Sequence, residues 1–169
     1  MSATKILIVD DSVVFRKALG DTLSSVDGFE VVGQSSNGKL ALEKIASLEP
    51  DIVILDVEMP VMDGIEALKQ IRGKHPTVSA VMFSSHTTKS AAMTIEALTL
   101  GAKGFVAKPS SASLEANLEV IENELIPLLR NLGNASDLKK KRLTGRMKRD
   151  TAKLMNRKRV AIAIGVSTG

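Results

Sequence analysis

Charged side chains follow three short apolar segments of this sequence. They are Asp10 and Asp11 after residues 6–9, Asp56 after residues 52–55, and Lys108 after residues 104–107. Such apolar segments predict buried strands of a parallel sheet, whose carboxyl ends meet at one edge and line a ligand crevice. We therefore expect three carboxylates and one ammonium group to lie close together in the folded protein.

Carboxylates that lie this close repel one another unless a cation and an anionic ligand compensate their charge. Mg²⁺ prefers oxygen ligands and commonly joins one or two carboxylates to a phosphate, so Asp11 and Asp56 are predicted to bind Mg²⁺ directly and Asp10 through water. The Asp56 carboxylate, with an ordinary pKa of about 3.9, is a nucleophile that needs no general base at neutral pH. The ammonium of Lys108 would offset the charge of a phosphoryl group in transfer, and the predicted product is an aspartyl phosphate.

Strand-like and helix-like segments alternate along the first three quarters of the chain. Strands are predicted near residues 5–9, 29–35, 52–56, 79–84 and 104–107, and helices near 12–25, 38–49, 64–73, 90–101 and 112–131. This alternation is typical of βαβ units and a parallel sheet. The predicted fold class is therefore α/β, a flavodoxin-like, doubly wound, five-stranded sheet with the strand order 2-1-3-4-5.

The composition places the chain among cytoplasmic globular proteins. It has 169 residues, of which 44% are hydrophobic, and no cysteine, so disulfides and thiolate metal sites are excluded. No segment resembles a signal peptide or is apolar enough to span a bilayer, and membrane insertion is not expected. The length suits one α/β domain, predicted over residues 1–132, and a remainder of about 40 residues.

A strongly basic segment follows this domain. Residues 137–159 hold eleven of the 23 lysines and arginines but only two of the 19 acidic residues. We interpret residues 133–159 as a solvated interdomain linker, because charged runs commonly mark exposed segments. The alternative is a nucleic-acid-binding tail. Nucleic-acid binding is disfavoured because the segment has no aromatic residues for base stacking and is too short for a helix-turn-helix.

Residues 160–169 form the second informative segment. The apolar run 160–164 predicts a strand, and it leads directly into Gly165-Val166-Ser167-Thr168-Gly169. A strand followed by Gly-x-Ser-x-Gly is typical of a nucleophile elbow, in which small residues allow a sharp turn that exposes the serine hydroxyl. The alternative for this pattern alone is a glycine-rich turn after a strand.

Five motifs, in this order, make residues 1 to about 125 resemble the receiver domain of two-component response regulators. They are Val9-Asp10-Asp11-Ser12, the segment 56–60 with Asp63-Gly64, Phe83-Ser84-Ser85, Gly101-Ala102-Lys103-Gly104-Phe105, and Lys108-Pro109. The resemblance implies that Glu58 offers its backbone carbonyl to Mg²⁺. It also implies that Ser84 binds a phosphoryl oxygen and that Phe105 is an aromatic switch residue. Asp63-Gly64 is interpreted as a helix cap rather than as a site.

The order of receiver, basic linker, strand and Ser167 elbow resembles the amino-terminal portion of the CheB chemotaxis methylesterases. This resemblance implies a histidine kinase as phosphoryl donor, chemoreceptors as substrates of the longer protein, and an esterase domain that the receiver inhibits within the same chain. Ser167 would be the esterase nucleophile, but the 169 residues should lack esterase activity because a catalytic His and Asp are missing. Two alternatives remain: a stand-alone response regulator, and a receiver with a basic tail that binds nucleic acid.

Overall fold

The computed structural model describes residues 3–85, 90–109, 113–138 and Arg142. Within these ranges, five strands alternate with helices. The strands are β1 (Thr4–Val9), β2 (Phe29–Ser35), β3 (Ile52–Leu55), β4 (Ser79–Ser85) and β5 (Gly104–Lys108). The helices are α1 (Val13–Ser24), α2 (Gly38–Leu48), α3 (Gly64–Lys74), α4 (Ser90–Thr99) and α5 (Leu114–Val120).

All neighbouring strands pair in parallel, and the sheet order is β2-β1-β3-β4-β5. This confirms the predicted flavodoxin-like, doubly wound topology. In the central pair, Val9 of β1 lies opposite Leu55 of β3. The two strands therefore end at the same level of the sheet, and this brings the residues that follow them, Asp10 and Asp56, side by side.

The two faces of the sheet carry separate hydrophobic clusters because successive side chains of a strand point in opposite directions. Leu7, Val9, Val53 and Leu55 pack with residues of α2, α3 and α4. Ile6, Ile8, Ile52 and Ile54 pack on the other face with α1 and with the helical segment that follows β5. Helices covering both faces explain why β1 and β3 are apolar at consecutive positions instead of alternating with polar residues.

Side-chain caps begin four of the helices. The capping residues are Ser12 for α1, Asn37 for α2, Asp63 for α3 and Ser113 for α5. Asp63 accepts a hydrogen bond of 2.8 Å from the backbone N–H of Glu66, which confirms its interpretation as a cap. Capping satisfies backbone donors that have no partner within the first turn, so these residues define where each helix starts.

The last helical segment differs from the prediction of one helix over 112–131. It begins with α5, continues as a π-helical turn over Ile121–Leu125, and returns to α-helical geometry from residue 126. Ile121, Leu125 and Leu129 are fully buried against the sheet. A π turn inserts one extra residue per turn and thereby changes which residues face the core, a shift that apolar periodicity alone does not predict.

Contacts within the chain divide it into two units, Met1–Gly133 and Asn134–Gly169. Of the second unit, the structure describes residues 134–138 and Arg142, which are helical. Most of the predicted linker at 133–159 and the whole predicted elbow at 160–169, including Ser167, lie outside the described residues. No helix within the described ranges combines the length and the apolar composition needed to cross a bilayer.

Candidate functional site

Three carboxylates meet at the carboxyl end of the sheet, as their positions in the sequence predict. Asp10 and Asp11 follow β1 and Asp56 follows β3. One oxygen from each carboxylate lies within 4.8 Å of the others. Asp10 and Asp56 are buried, with 1% and 5% of their surface exposed, whereas Asp11 is exposed. The cluster is therefore open to solvent on the side of Asp11.

Lys108, the last residue of β5, extends its side chain into this cluster. Its Nζ lies 2.5 Å from Oδ2 of Asp10 and 2.7 Å from Oδ2 of Asp56, and the lysine is only 6% exposed. Burying charged groups is costly unless they are paired, so these two ion pairs are needed to hold both carboxylates inside the protein. Three carboxylates against one ammonium still leave an excess of negative charge.

The pKa of Asp56 is raised from its ordinary value, mainly because burial disfavours the charged form. The charge and hydrogen bond of Lys108 lower this pKa, and repulsion from Asp10 raises it again. Burial and repulsion together outweigh the single ammonium. A divalent cation at the carboxylates would supply the missing positive charge, and an oxygen-only ligand set of this kind suits Mg²⁺. The acidic pocket thus fits the metal that the sequence predicts.

Backbone and side-chain hydrogen bonds fix the two buried carboxylates. The N–H of Asp56 donates to the carbonyl of Val9 at 2.8 Å, which continues the pairing of β1 with β3 beyond the strand ends. Asp10 accepts a hydrogen bond from the N–H of Ser12 at 2.8 Å through Oδ1, and its carbonyl accepts one from Arg16 at 2.5 Å. Asp10 is therefore held at both its side chain and its backbone.

The structure places the two predicted switch residues on one face of the sheet. Ser84 is 4% exposed in β4 and lies opposite Ala107 of β5. Phe105 precedes Ala107 by two residues, so its side chain leaves the strand on the same face. Phe105 is half-buried against the cluster that includes Met82. Glu58, the predicted source of a backbone carbonyl ligand, has an exposed side chain in the segment between Asp56 and α3.

Val61 adopts a strained backbone conformation in that same segment. The N–H of Met62 donates to the carbonyl of Pro60 at 2.8 Å, and the intervening Val61 has a φ of 70°. Together these describe a γ-turn, with a β-branched residue in the left-handed region that normally favours Gly or Asn. The Val61 side chain is 81% exposed and gains little from packing in return.

Val61→Asn is expected to raise the free energy of unfolding by about 1 kcal/mol, because Asn tolerates a positive φ and strain of this kind costs about 1–3 kcal/mol. Urea unfolding followed by circular dichroism measures the change. Val14→Asn is the matched control, since Val14 is similarly exposed, at 78%, but lies in α1. Equal effects of the two substitutions would contradict the attribution to backbone strain.

Two aromatic residues lie near Lys108 that the sequence did not predict to border the site. The ring of Phe15 in α1 lies 4.8 Å from Lys108 Nζ, and the ring of Phe83 in β4 lies 5.8 Å from it. Phe83 is part of a motif that the sequence analysis singled out for its neighbour Ser84, and Phe15 matches only the apolar periodicity of α1. Apolar periodicity predicts that a residue is buried, but it does not predict that the same residue also lies next to the site.

Comparison with known proteins gives a consistent result. Residues 6–119 match the family model of the response regulator receiver domain. The response regulator domain of Thermotoga maritima CheB is 41% identical, with a TM-score of 0.70 over 78% of this chain and 97% of that one. A complex from Borrelia burgdorferi that contains CheX, CheY, BeF₃ and Mg²⁺ matches at 31% identity and a TM-score of 0.60, over 71% of this chain and 87% of that one.

Curated relatives carry the name protein-glutamate methylesterase/protein-glutamine glutaminase. The relative from Trichodesmium erythraeum is 40% identical over 100% of this chain and 50% of its own length. The relative from Geobacillus kaustophilus is 45% identical over 100% of this chain and 49% of its own length. The chain thus spans about half the length of these relatives. The identity to these relatives extends beyond the receiver domain to the residues that follow it in this chain.

A doubly wound sheet with an acidic pocket and a lysine at the ends of its strands defines the response regulator receivers. The chain belongs to the response regulator receiver domain family, and its receiver is of the CheB chemotaxis type.

Proposed function

We propose that Asp56 is the phospho-acceptor of this receiver and that its phosphorylation requires Mg²⁺. The observation that carries this proposal is the position of Asp56, which is 5% exposed, 2.7 Å from the Lys108 ammonium, and in a carboxylate cluster with excess negative charge. The phosphoryl donor is a histidine kinase, and a small donor such as acetyl phosphate serves in its place. We also propose that the protein is cytoplasmic.

The carboxylates of Asp10, Asp11 and Asp56 and the backbone carbonyl of Glu58 would hold the Mg²⁺ ion. When bound, the ion supplies positive charge that offsets the repulsion between the anionic donor and the carboxylate cluster. Support comes from the oxygen-only donor set of this chain and from the similar Borrelia burgdorferi complex, which contains Mg²⁺ and BeF₃.

Residues of this chain have three roles in phosphoryl transfer. A carboxylate oxygen of Asp56 forms a bond to phosphorus, while the bond from phosphorus to the donor breaks and the donor leaves with its electron pair. Lys108 pairs with an oxygen of the transferred group and offsets the charge that develops on it. Ser84 offers a hydroxyl donor to another oxygen, and Phe105, on the same face, responds to that contact as the switch residue.

Intact mass spectrometry after incubation with acetyl phosphate tests the phospho-acceptor. With Mg²⁺, the chain is expected to gain one phosphoryl group. Asp56→Asn should abolish the gain because an amide oxygen is a much weaker nucleophile than a carboxylate, and EDTA should abolish it in the unaltered chain. Asp63→Asn is the matched control, because Asp63 belongs to the same loop but serves as a helix cap, a role that Asn also fulfils. Labelling that survives Asp56→Asn or EDTA would refute the assignment.

In the longer protein, we propose, the receiver inhibits a methylesterase domain whose nucleophile is Ser167. The named methylesterase relatives support this assignment, as does the Gly-x-Ser-x-Gly pattern. A serine needs a histidine base, so the 169 residues alone should not hydrolyse methyl esters of chemoreceptor glutamates. Phosphorylation of Asp56 would weaken docking of the receiver and release the esterase.

The size of this activation is limited by the coupling between the two domains, typically about 1–3 kcal/mol, which corresponds to roughly 5- to 150-fold. Methanol release from methylated receptors measures it in the longer protein with and without a phosphoryl donor. Ser167→Ala should abolish release, and Asp56→Asn should remove the response to the donor while basal release stays. Full activity of Ser167→Ala, or equal stimulation of Asp56→Asn, would exclude this arrangement.

A further inference from the structure

The Lys108 ammonium is in contact with aromatic rings as well as with carboxylates. Its Nζ lies 4.8 Å from the centroid of the Phe15 ring and 5.8 Å from that of Phe83. The two rings meet each other at 5.8 Å and 63°, an edge-to-face arrangement. Phe83 is 1% exposed and Lys108 is 6% exposed, so these contacts form in a region from which water is largely excluded.

The negative face of an aromatic ring attracts a cation within about 6 Å, and the attraction is stronger where the cation is desolvated. Phe15, the nearer ring, therefore does more than fill space beside the ammonium. The edge-to-face contact with the buried Phe83 restrains the Phe15 ring. Asp10 and Asp56 contact the ammonium in a different way, because their oxygens belong to a carboxylate cluster that could also hold a metal ion.

We infer that Phe15 is a positioning residue for Lys108, and that Phe83 supports its ring. Phe15 holds the ammonium at the carboxylates through a cation–π contact, so that Lys108 stays at the site when its ionic partners are shared with a metal or a phosphoryl group. The inference deepens the phospho-acceptor function proposed above and rests on it for the effect on phosphorylation. The simpler alternative is that Phe15 only packs, because it also adjoins the cluster that contains Ile8 and Leu19.

Fluorinated phenylalanines at position 15 separate these two explanations. Fluorine withdraws electron density from the face of the ring and changes its size little, so a series with one, two and three fluorines weakens the cation–π contact in steps. The rate constant for phosphorylation by acetyl phosphate and Mg²⁺ is expected to fall at each step, by about 3- to 10-fold in total. The rate constant of Phe15→Leu should equal that of the trifluorinated variant or be lower.

A second readout uses the metal-free protein in EDTA. The ring of Phe15 should shift the proton resonances of the Lys108 ε-methylene upfield, and Phe15→Leu should abolish most of that shift. The urea midpoint of unfolding should also fall stepwise through the fluorine series when Lys108 is present. In chains that also carry Lys108→Met, no ammonium faces the ring, and the midpoint should not change along the series. Neither measurement depends on phosphoryl transfer.

Phe29 offers a matched control. Its ring also faces a cation, with Arg130 at 5.6 Å, but it starts β2 at the opposite end of the sheet from the carboxylates. The same fluorine series at position 29 should leave the phosphorylation rate unchanged. An equal fall with substitution at both positions would mean that general stability, not Lys108, controls the rate.

The outcomes also separate this inference from the proposed function. A flat phosphorylation series at position 15, with normal labelling of the unaltered chain, would overturn the positioning role and leave the phospho-acceptor intact. If the unaltered chain takes up no phosphoryl group, the proposed function fails, and the Lys108 resonances and urea midpoints in EDTA still decide whether Phe15 holds the ammonium. If the Lys108 resonances show no upfield shift and the urea midpoint does not change along the fluorine series, the cation–π contact of Phe15 with Lys108 is rejected.

Discussion

Gly64→Ala is expected to lower the free energy of unfolding by about 3 kcal/mol or more, because the new methyl group has no room. A Cβ at Gly64 would overlap the carbonyl oxygen of Asp56 and lie 2.9 Å from the Cα of Val57. Both are backbone atoms that cannot rotate away. The N–H of Gly64 also donates to the carbonyl of Val57 at 2.9 Å, so the first residue of α3 is held in direct contact with the residues that follow β3.

Urea unfolding in EDTA measures this loss, and Gly73→Ala is the matched control in the same helix. A Cβ at Gly73 meets no atom within 4 Å, and alanine is the better helix former by roughly 1 kcal/mol, so this variant should be slightly stabilised. Because Asp56 itself must shift, Gly64→Ala should also slow phosphorylation. A stable, normally phosphorylated Gly64→Ala chain would show that the close approach of α3 to Asp56 is not required.

Asp56→Asn is expected to raise the free energy of unfolding at neutral pH without divalent cations. Burial of Asp56 and its repulsion by Asp10 outweigh the attraction of Lys108, which is why its pKa is raised. The amide removes the buried charge, retains an acceptor for Lys108, and leaves Lys108 paired with Asp10 at 2.5 Å. Replacing a whole buried ion pair by apolar residues is often neutral or stabilises proteins by about 1–4 kcal/mol. Here only one of the two carboxylates at Lys108 loses its charge, so the expected gain is near the lower end, about 1 kcal/mol.

The pH dependence of this gain follows from the raised pKa of Asp56. The folded state binds the proton at a higher pH than the unfolded state does, so the unaltered chain becomes more stable as pH falls through the folded pKa. Asp56→Asn lacks this group and has no such contribution. The difference between the two should therefore be greatest at neutral pH and shrink as pH falls toward the ordinary carboxyl value of 3.8.

Urea unfolding of both chains in EDTA over this pH range measures the difference, with Asp63→Asn as control for the loss of an exposed carboxylate. A difference that grows as pH falls would mean that Lys108 overcompensates the burial of Asp56, opposite to the direction given above. Adding Mg²⁺ should stabilise the unaltered chain more than Asp56→Asn, because at a given concentration the tighter-binding form gains more stability, by RT ln(1 + [L]/Kd).

Much of the fold could be predicted from local patterns. The central strand β3 is a short, wholly apolar segment, as expected when helices cover both faces of the sheet, whereas β2 at the edge of the sheet includes polar residues. The predicted strand order and the position of Asp10 beside Asp56 depend only on such segments and on the parallel winding. The cap at Asp63 was predictable for the same reason, since capping is a contact between residues three positions apart.

Other features depend on contacts between residues far apart in the chain. The sequence determined that carboxylates and a lysine would stand at strand ends, because strand ends are local. The tertiary structure decided that Lys108 would bridge Asp10 and Asp56 and that Phe15 would face it, and it set the direction of the Asp56 pKa shift. It also decided the positive φ of Val61. Each of these is set by burial, close approach or the direction of a side chain, which arise only when the strands and helices pack together.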